Sequence, residues 1–181
     1  MKFQSVILAT ALMSVPAPAA VTDLASNGFT IGQTRMIAAP PAKVFAILVV
    51  PGRWWSSEHT FSGSAANMSI DARAGGCFCE TLPGSGSVQH LVVVNVRPGE
   101  FLRLQGMLGP FQAVAGIGVL TFSLAPDAAG TRLEMTYQVA GYANMKIAGK
   151  GYDAMSKAAD GMLSDQLDRL KRAVETGSAE P

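Results

Sequence analysis

The sequence predicts an α+β fold in which a curved antiparallel sheet wraps around one long C-terminal helix. Three observations carry this reading. Between Phe29 and Val139 the chain divides into short segments of period-two alternation separated by turns rich in Pro and Gly, the pattern of consecutive antiparallel strands. One short apolar helix interrupts them near the start. From Tyr152 to Val174 the apolar residues recur at helical spacing, at Met155, Ala159, Met162, Leu163, Leu167, Leu170 and Val174. Such a stripe must be buried, and the concave face of the sheet is the only apolar surface large enough to take it. A chain of 181 residues holds this as one domain.

The first twenty residues stand apart. Lys2 gives a positive start, Val6 to Val15 is an apolar run, and Ala17-Pro18-Ala19 has the small-x-small form of a cleavage site. Residues 1–20 are therefore expected to be a secretory signal peptide, too short for a membrane span. Residues 21–27 are read as an N-terminal linker, 28–175 as the domain and 176–181 as a tail. The product is expected to be exported, periplasmic or secreted, with no membrane span. The whole chain has 14 Lys+Arg against 13 Asp+Glu, and Lys2 is the one charge in the leader, so the mature chain is formally neutral. A neutral surface does not attract phosphate backbones over distance, which argues against nucleic acid as a partner.

Phe29 to Ile37 is the first expected strand, stopped by Pro40-Pro41, which suit a first helical turn. Ala42 to Val50 follows as a short buried helix, ended by Pro51-Gly52. Arg53 to Thr60 is irregular and carries Trp54, Trp55 and His59. Asn67 to Ile70 is a short strand, and Gly75 to Arg97 is a hairpin. Phe101 to Gln105 turns Leu102 and Leu104 inward, Gly106 to Gly118 is a loop, and Val119 to Leu124 turns Leu120, Phe122 and Leu124 inward. Thr131 to Val139 alternates most cleanly, with Leu133, Met135, Tyr137 and Val139 facing the core.

The hairpin holds both cysteines and one of the two histidines. With a four-residue loop, Pro83–Gly86, Leu82 pairs with Ser87 and Cys79 with His90; Cys77 shares the face of Cys79. Val88, His90, Val92, Val94 and Val96 then face inward. A three-residue loop would instead put Glu80 opposite His90 and turn both cysteines outward. A Cys77–Cys79 disulfide spans i to i+2, about 6.6–6.8 Å in a regular strand, at the upper edge of what such a bond tolerates unless a bulge shortens it.

Ile37-Ala38-Ala39-Pro40-Pro41-Ala42-Lys43-Val44-Phe45, Pro51-Gly52-Arg53-Trp54-Trp55, Gly130-Thr131-Arg132-Leu133 and the closing Gly161-Met162-Leu163 resemble the START-like (SRPBCC) superfamily, which includes polyketide cyclase-like and activator-of-heat-shock-ATPase-like proteins. The resemblance runs from Phe29 to Val174 and implies the helix-grip fold with a deep, mainly apolar cavity between the sheet and the last helix. Members of that superfamily differ widely in activity, so function has to come from the site.

Several sites compete on this frame. Cys77, Cys79 and His90 offer soft thiolates and an imidazole suited to zinc or copper(I), with Glu58 or His59 as a fourth ligand. Set against this are two small buried thiols with a satisfied core histidine, and a strained disulfide. Glu80 beside His90 would make an acid–base pair, and Cys79 with His90 a nucleophile lacking an orienting third residue. Trp54, Trp55, His59, His90, Met155 and Met162 are candidates to line a ligand cavity, or else plain core. No glycine-rich phosphate loop is present, which leaves nucleotide binding without support. The expected function is binding of a small hydrophobic molecule between sheet and helix, with a thiolate–imidazole metal site as an option. The alternatives are a cyclase- or hydrolase-type enzyme using His90 with Cys77 and Cys79 or a bound metal, and a purely metal-binding envelope protein.

Overall fold

The computed structural model describes residues 21–180, so the signal-peptide reading of residues 1–20 lies outside the described residues. Eight strands follow in chain order: β1 (Val21–Ala25), β2 (Gly28–Ile37), β3 (Met68–Ile70), β4 (Cys77–Thr81), β5 (Ser87–Arg97), β6 (Phe101–Gly106), β7 (Gly116–Asp127) and β8 (Gly130–Gly141). Helix α1 (Pro41–Leu48) lies between β2 and β3, and α2 (Tyr152–Thr176) ends the fold. The strands form one antiparallel sheet in the order β1-β2-β8-β7-β6-β5-β4-β3. This is the α+β helix-grip architecture expected from the alternation and the C-terminal stripe.

Where the alternation is unbroken, the sequence and the fold agree. Leu102 and Leu104 on β6, Leu120 and Phe122 on β7, and Leu133, Met135, Tyr137 and Val139 on β8 are all buried. Helix α1 begins at Pro41, whose missing N–H would be unpaired at that position anyway, and buries Val44, Phe45, Ile47 and Leu48. Helix α2 buries Met155, Ala159, Leu163, Leu167, Leu170 and Val174 and stops at Gly177, which takes the left-handed conformation (φ 89°) that closes helices.

Polar side chains fasten this helix as well as apolar ones. Gln33 Nε2 on β2 donates to the Asp160 carbonyl at 3.0 Å, and Arg35 Nε donates to Asp168 at 2.5 Å. From the other side, Ser56 N donates to Gln166 Oε1 at 2.7 Å and Arg169 Nε donates to the Trp54 carbonyl at 2.9 Å. The helix is thereby tied both to the sheet and to the segment after α1.

Three departures from the sequence reading have physical causes. Residues 21–27 are not a linker: Val21–Ala25 pairs with β2 as an edge strand. Its side chains are mostly exposed, so it has no buried face to leave an alternation signal. The expected loop at 106–118 is shorter, because β6 runs through Gly106, β7 starts at Gly116, and a 3-10 turn occupies Gly109–Ala113. The third departure is in β5. Its inward set is His90, Leu91 and Val93, with Val94 exposed, in place of the uninterrupted row Val88 to Val96. Two bulges cause this. His90 is the extra residue against β4 and Val94 the extra residue against β6, and each shifts the phase of the strand by one.

Because Leu167 is 2% exposed at the centre of the helix–sheet contact, Leu167→Ala should destabilise the protein by about 2–5 kcal/mol, read as a lower urea midpoint with an unchanged slope.

Candidate functional site

The turn between β4 and β5 decides what faces the interior. Thr81 pairs with Ser87, Glu80 with Val88 and Cys79 with Gln89, so the loop is Leu82–Gly86, five residues long. Pro83 opens a tight turn there, and Gly84 and Ser85 both take positive φ (68° and 65°). After the His90 bulge the register changes to Phe78 with Leu91 and Cys77 with Val92. The expected Cys79–His90 pair therefore does not form. Phe78 and Glu80 are the buried residues of β4, and both cysteines lie on the opposite face, partly exposed.

Cys77 and Cys79 are joined in a disulfide, with Cα atoms 5.3 Å apart. A regular strand would hold them at about 6.6–6.8 Å; the shorter span coincides with the register shift between Phe78 and Cys79. The metal reading of Cys77, Cys79 and His90 is corrected on two counts. The sulfurs are bonded to each other and face away from the imidazole, and no cluster of three or more His, Cys, Asp or Glu suited to a metal occurs among the described residues. Zinc or copper loses its soft ligands, and an enzyme loses Cys79 as a nucleophile.

Bulging places His90 beside Glu80. His90 is 4% exposed and Glu80 1% exposed, and His90 Nε2 lies 3.0 Å from Glu80 Oε2. Glu80 Oε2 also accepts from Phe61 N at 3.1 Å, and Oε1 accepts from Ser62 N. A carboxylate can only accept, so the imidazole proton sits on Nε2 and Nδ1 carries a free lone pair. That Nδ1 is buried and has no hydrogen-bond partner. The ring is held between aromatics, with Phe61 stacked at 5.9 Å and 26° and Phe78 at 5.3 Å between centroids. On β6, Gly106 (φ 140°) lets the strand pass the bulge, since a Cβ there would come within 2.6 Å of the His90 carbonyl oxygen.

Burial pushes the His90 pKa down, and this outweighs the opposing hydrogen bond and charge of Glu80, so the ring is neutral near pH 7. Burial pushes Glu80 up, but the hydrogen bonds from Ser62, Phe61 and His90 outweigh it and hold the carboxyl below its ordinary value. The pair is thus a neutral imidazole oriented by a carboxylate. It can accept a hydrogen bond or a proton at Nδ1.

His90 lines a cavity of about 570 Å³ between the sheet and α2. Helix α2 contributes Ala154, Met155, Ala158, Ala159 and Met162; the segment after α1 contributes Trp55 and Glu58 to Phe61. Leu108 to Phe111, Tyr137, Ile147, Ala148 and Lys150 complete the walls. The charged members, Glu58 and Lys150, and also His59 are exposed and mark the mouth, while His90 and Tyr137 are buried. Tyr137 Oη accepts from Leu108 N at 3.3 Å, and burial pushes its pKa up to about 12, so the phenol keeps its proton.

Of the candidate ligand-binding residues, Trp55, His59, His90, Met155 and Met162 line this cavity and Trp54 does not. Trp54 is 2% exposed, and its Nε1 donates to the Leu48 carbonyl at 3.2 Å, so it caps the end of α1. Phe61 and Phe111 are site residues the pattern did not single out, whereas Glu80 beside His90 was the acid–base option of the alternative register. The available signal for Glu80 was its i, i+2 spacing from Phe78, which puts both on one face of the strand.

A family model described as polyketide cyclase / dehydrase and lipid transport matches residues 29–175. No curated protein sequence matches the chain. Among solved structures, the chain is similar to a protein of Chromobacterium violaceum at 20% identity and TM-score 0.55, covering 81% of this chain and 96% of that one. It is also similar to the Aha1 dimer protein of Colwellia psychrerythraea at 19% identity and TM-score 0.56, covering 82% and 97%. A third likeness is to CalU16 of Micromonospora echinospora, at 18% identity and TM-score 0.52, covering 85% and 77%. Likeness at these identities establishes the fold alone.

The His90–Glu80 pair should make stability sensitive to acid. The folded His90 has a pKa below 6.5, so its contribution is complete above pH 6.5 and is lost as pH falls towards the folded value, where only the unfolded chain takes up a proton. Glu80 acts in the same direction below pH 4.5. Urea unfolding between pH 7.5 and 4 should show stability falling by at most about 1.4 kcal/mol per pH unit for each group, and His90→Gln should remove the part that begins at 6.5.

Proposed function

Since the chain belongs to the polyketide cyclase / dehydrase and lipid transport family, within the START-like (SRPBCC) superfamily, we propose that it binds a small hydrophobic molecule in the cavity between the sheet and α2. The observation that carries this reading is the cavity itself. Its volume of about 570 Å³ falls in the range of small-molecule sites, its walls are mainly Met, Phe, Ala, Leu and Ile, and its polar groups divide between the exposed mouth and the buried His90 and Tyr137. The methionines on α2 add adaptable thioether surface, which suits a flexible or irregular apolar ligand. N-phenyl-1-naphthylamine, an apolar dye that brightens when it leaves water, should bind with saturable fluorescence. Ala158→Trp, which adds bulk at the exposed α2 rim of the cavity, should weaken that binding at least tenfold while circular dichroism stays unchanged. Equal binding by wild type and Ala158→Trp would place the dye elsewhere and remove the proposal.

The same protein is proposed to work outside the cytoplasm. The leader-like residues 1–20 support this reading, and so does the Cys77–Cys79 disulfide, which belongs in an oxidising compartment. Protein recovered from the cell envelope should have a mass lacking the leader. Its thiols should react with iodoacetamide only after reduction, two adducts appearing together. Free thiols in the envelope protein, or retention of the leader, would contradict export in this form.

A further inference from the structure

We propose that the inner end of the cavity selects a neutral ligand bearing a hydroxyl group, and that His90 Nδ1 is the atom that receives the hydroxyl proton in a hydrogen bond. The inference rests on the binding reading above and names the chemical class that reading leaves open. His90 Nε2 is committed to Glu80 Oε2 at 3.0 Å, and the acceptor-only carboxylate fixes the tautomer that leaves Nδ1 bare. Nδ1 is buried without a partner in a side chain that lines the cavity. A buried acceptor is costly to leave unpaired, so a ligand donor that reaches it gains more than it would on an exposed surface. The hydrogen bond to Glu80 sets the orientation of the ring, and Phe61 and Phe78 pack beside it.

The same geometry rejects other head groups. A carboxylate has only lone pairs to offer Nδ1, and it would meet the charge of Glu80 behind the ring. An ether can accept but cannot donate. An ammonium group would have to shed its water among apolar walls. A phenol or alcohol has one donor and an apolar body, matching a single buried acceptor in an apolar cavity. Glu80 is then a positioning residue, acting through the imidazole.

Three probes of nearly equal shape separate these cases: 2-naphthol, 2-methoxynaphthalene and 2-naphthoate, titrated by fluorescence at pH 7.5 against the full mature protein. The naphthol should bind about tenfold more tightly than its methyl ether, the fold-change expected of one buried hydrogen bond, and the naphthoate more weakly than both. His90→Phe should abolish the preference for naphthol over ether, the ratio of the two affinities falling to about one. The wild type alone supplies a second readout that needs no folded variant. The chain has two histidines, so imidazole nitrogen-15 spectra are simple to assign; the bare Nδ1 resonance of His90 should move on adding naphthol and stay in place on adding the ether. Glu80→Gln, which keeps an acceptor and removes the charge, should improve naphthoate relative to naphthol. Equal binding of naphthol and ether in the wild type, an unmoved Nδ1 resonance, or a naphthol preference that survives His90→Phe would each overturn the assignment while the cavity reading stands. Failure of all three probes to bind would overturn the cavity reading with it.

Discussion

A carboxylate buried to 1% exposure persists in a folded chain when its oxygens are occupied, and those of Glu80 are occupied from two directions. The segment after α1 supplies Phe61 N and Ser62 N, and β5 supplies His90 Nε2. Removing a donor from such a buried carboxylate leaves a charged acceptor unsatisfied, which costs more than the about 1–3 kcal/mol of a neutral group. The mouth segment and the bulged strand are therefore held against the same two atoms. The cavity wall contributed by Phe61 and the polar atom contributed by His90 are positioned together, by one side chain that need touch no ligand.

The His90 bulge is the geometric counterpart of that charge. One extra residue in β5 turns Leu91 inward next to His90, so adjacent residues share a face. Across the same register shift Cys77 and Cys79 lie 5.3 Å apart on the outer face, within reach of a disulfide. Gly106 provides the room on the other flank. A bulge next to a site commonly re-aims one side chain; here the outer disulfide and the inner histidine flank the same register shift.

The parts of the fold legible in the sequence are those where one periodicity rules an entire element. β6, β7 and β8 alternate without interruption, and α2 carries one continuous stripe, so their buried faces follow from the residue pattern alone. β5 resisted because two bulges shift its phase twice within eleven residues, and a period-two reading follows only one phase. His90 nevertheless comes out buried, since it lies before the first shift. The hairpin loop was ambiguous because the composition Leu-Pro-Gly-Ser-Gly suits loops of three, four or five residues. That uncertainty bears directly on the faces of Cys77, Cys79 and Glu80. The outward cysteines and the Glu80–His90 contact belonged to the alternative three-residue loop, and the structure reaches both by a longer loop combined with a bulge. Family resemblance carried the fold and the presence of a cavity, whereas the orphaned Nδ1 is a property of three-dimensional packing that no one-dimensional pattern records.

The strand order also sets a timetable for the chain's own synthesis. β2 lies between β1 and β8, and Phe29 pairs with Val139, so its partner on one side is made more than a hundred residues later. Loop closure over such a distance is slow compared with local structure. Until Val139 has been made, the emerging N-terminal half has an unpaired strand flank and no α2 to cover its apolar face. A nascent chain of this topology stays open through most of translation. Any route that threads it through a narrow passage would find it unfolded, and any holding factor that binds exposed strands would find β2 available.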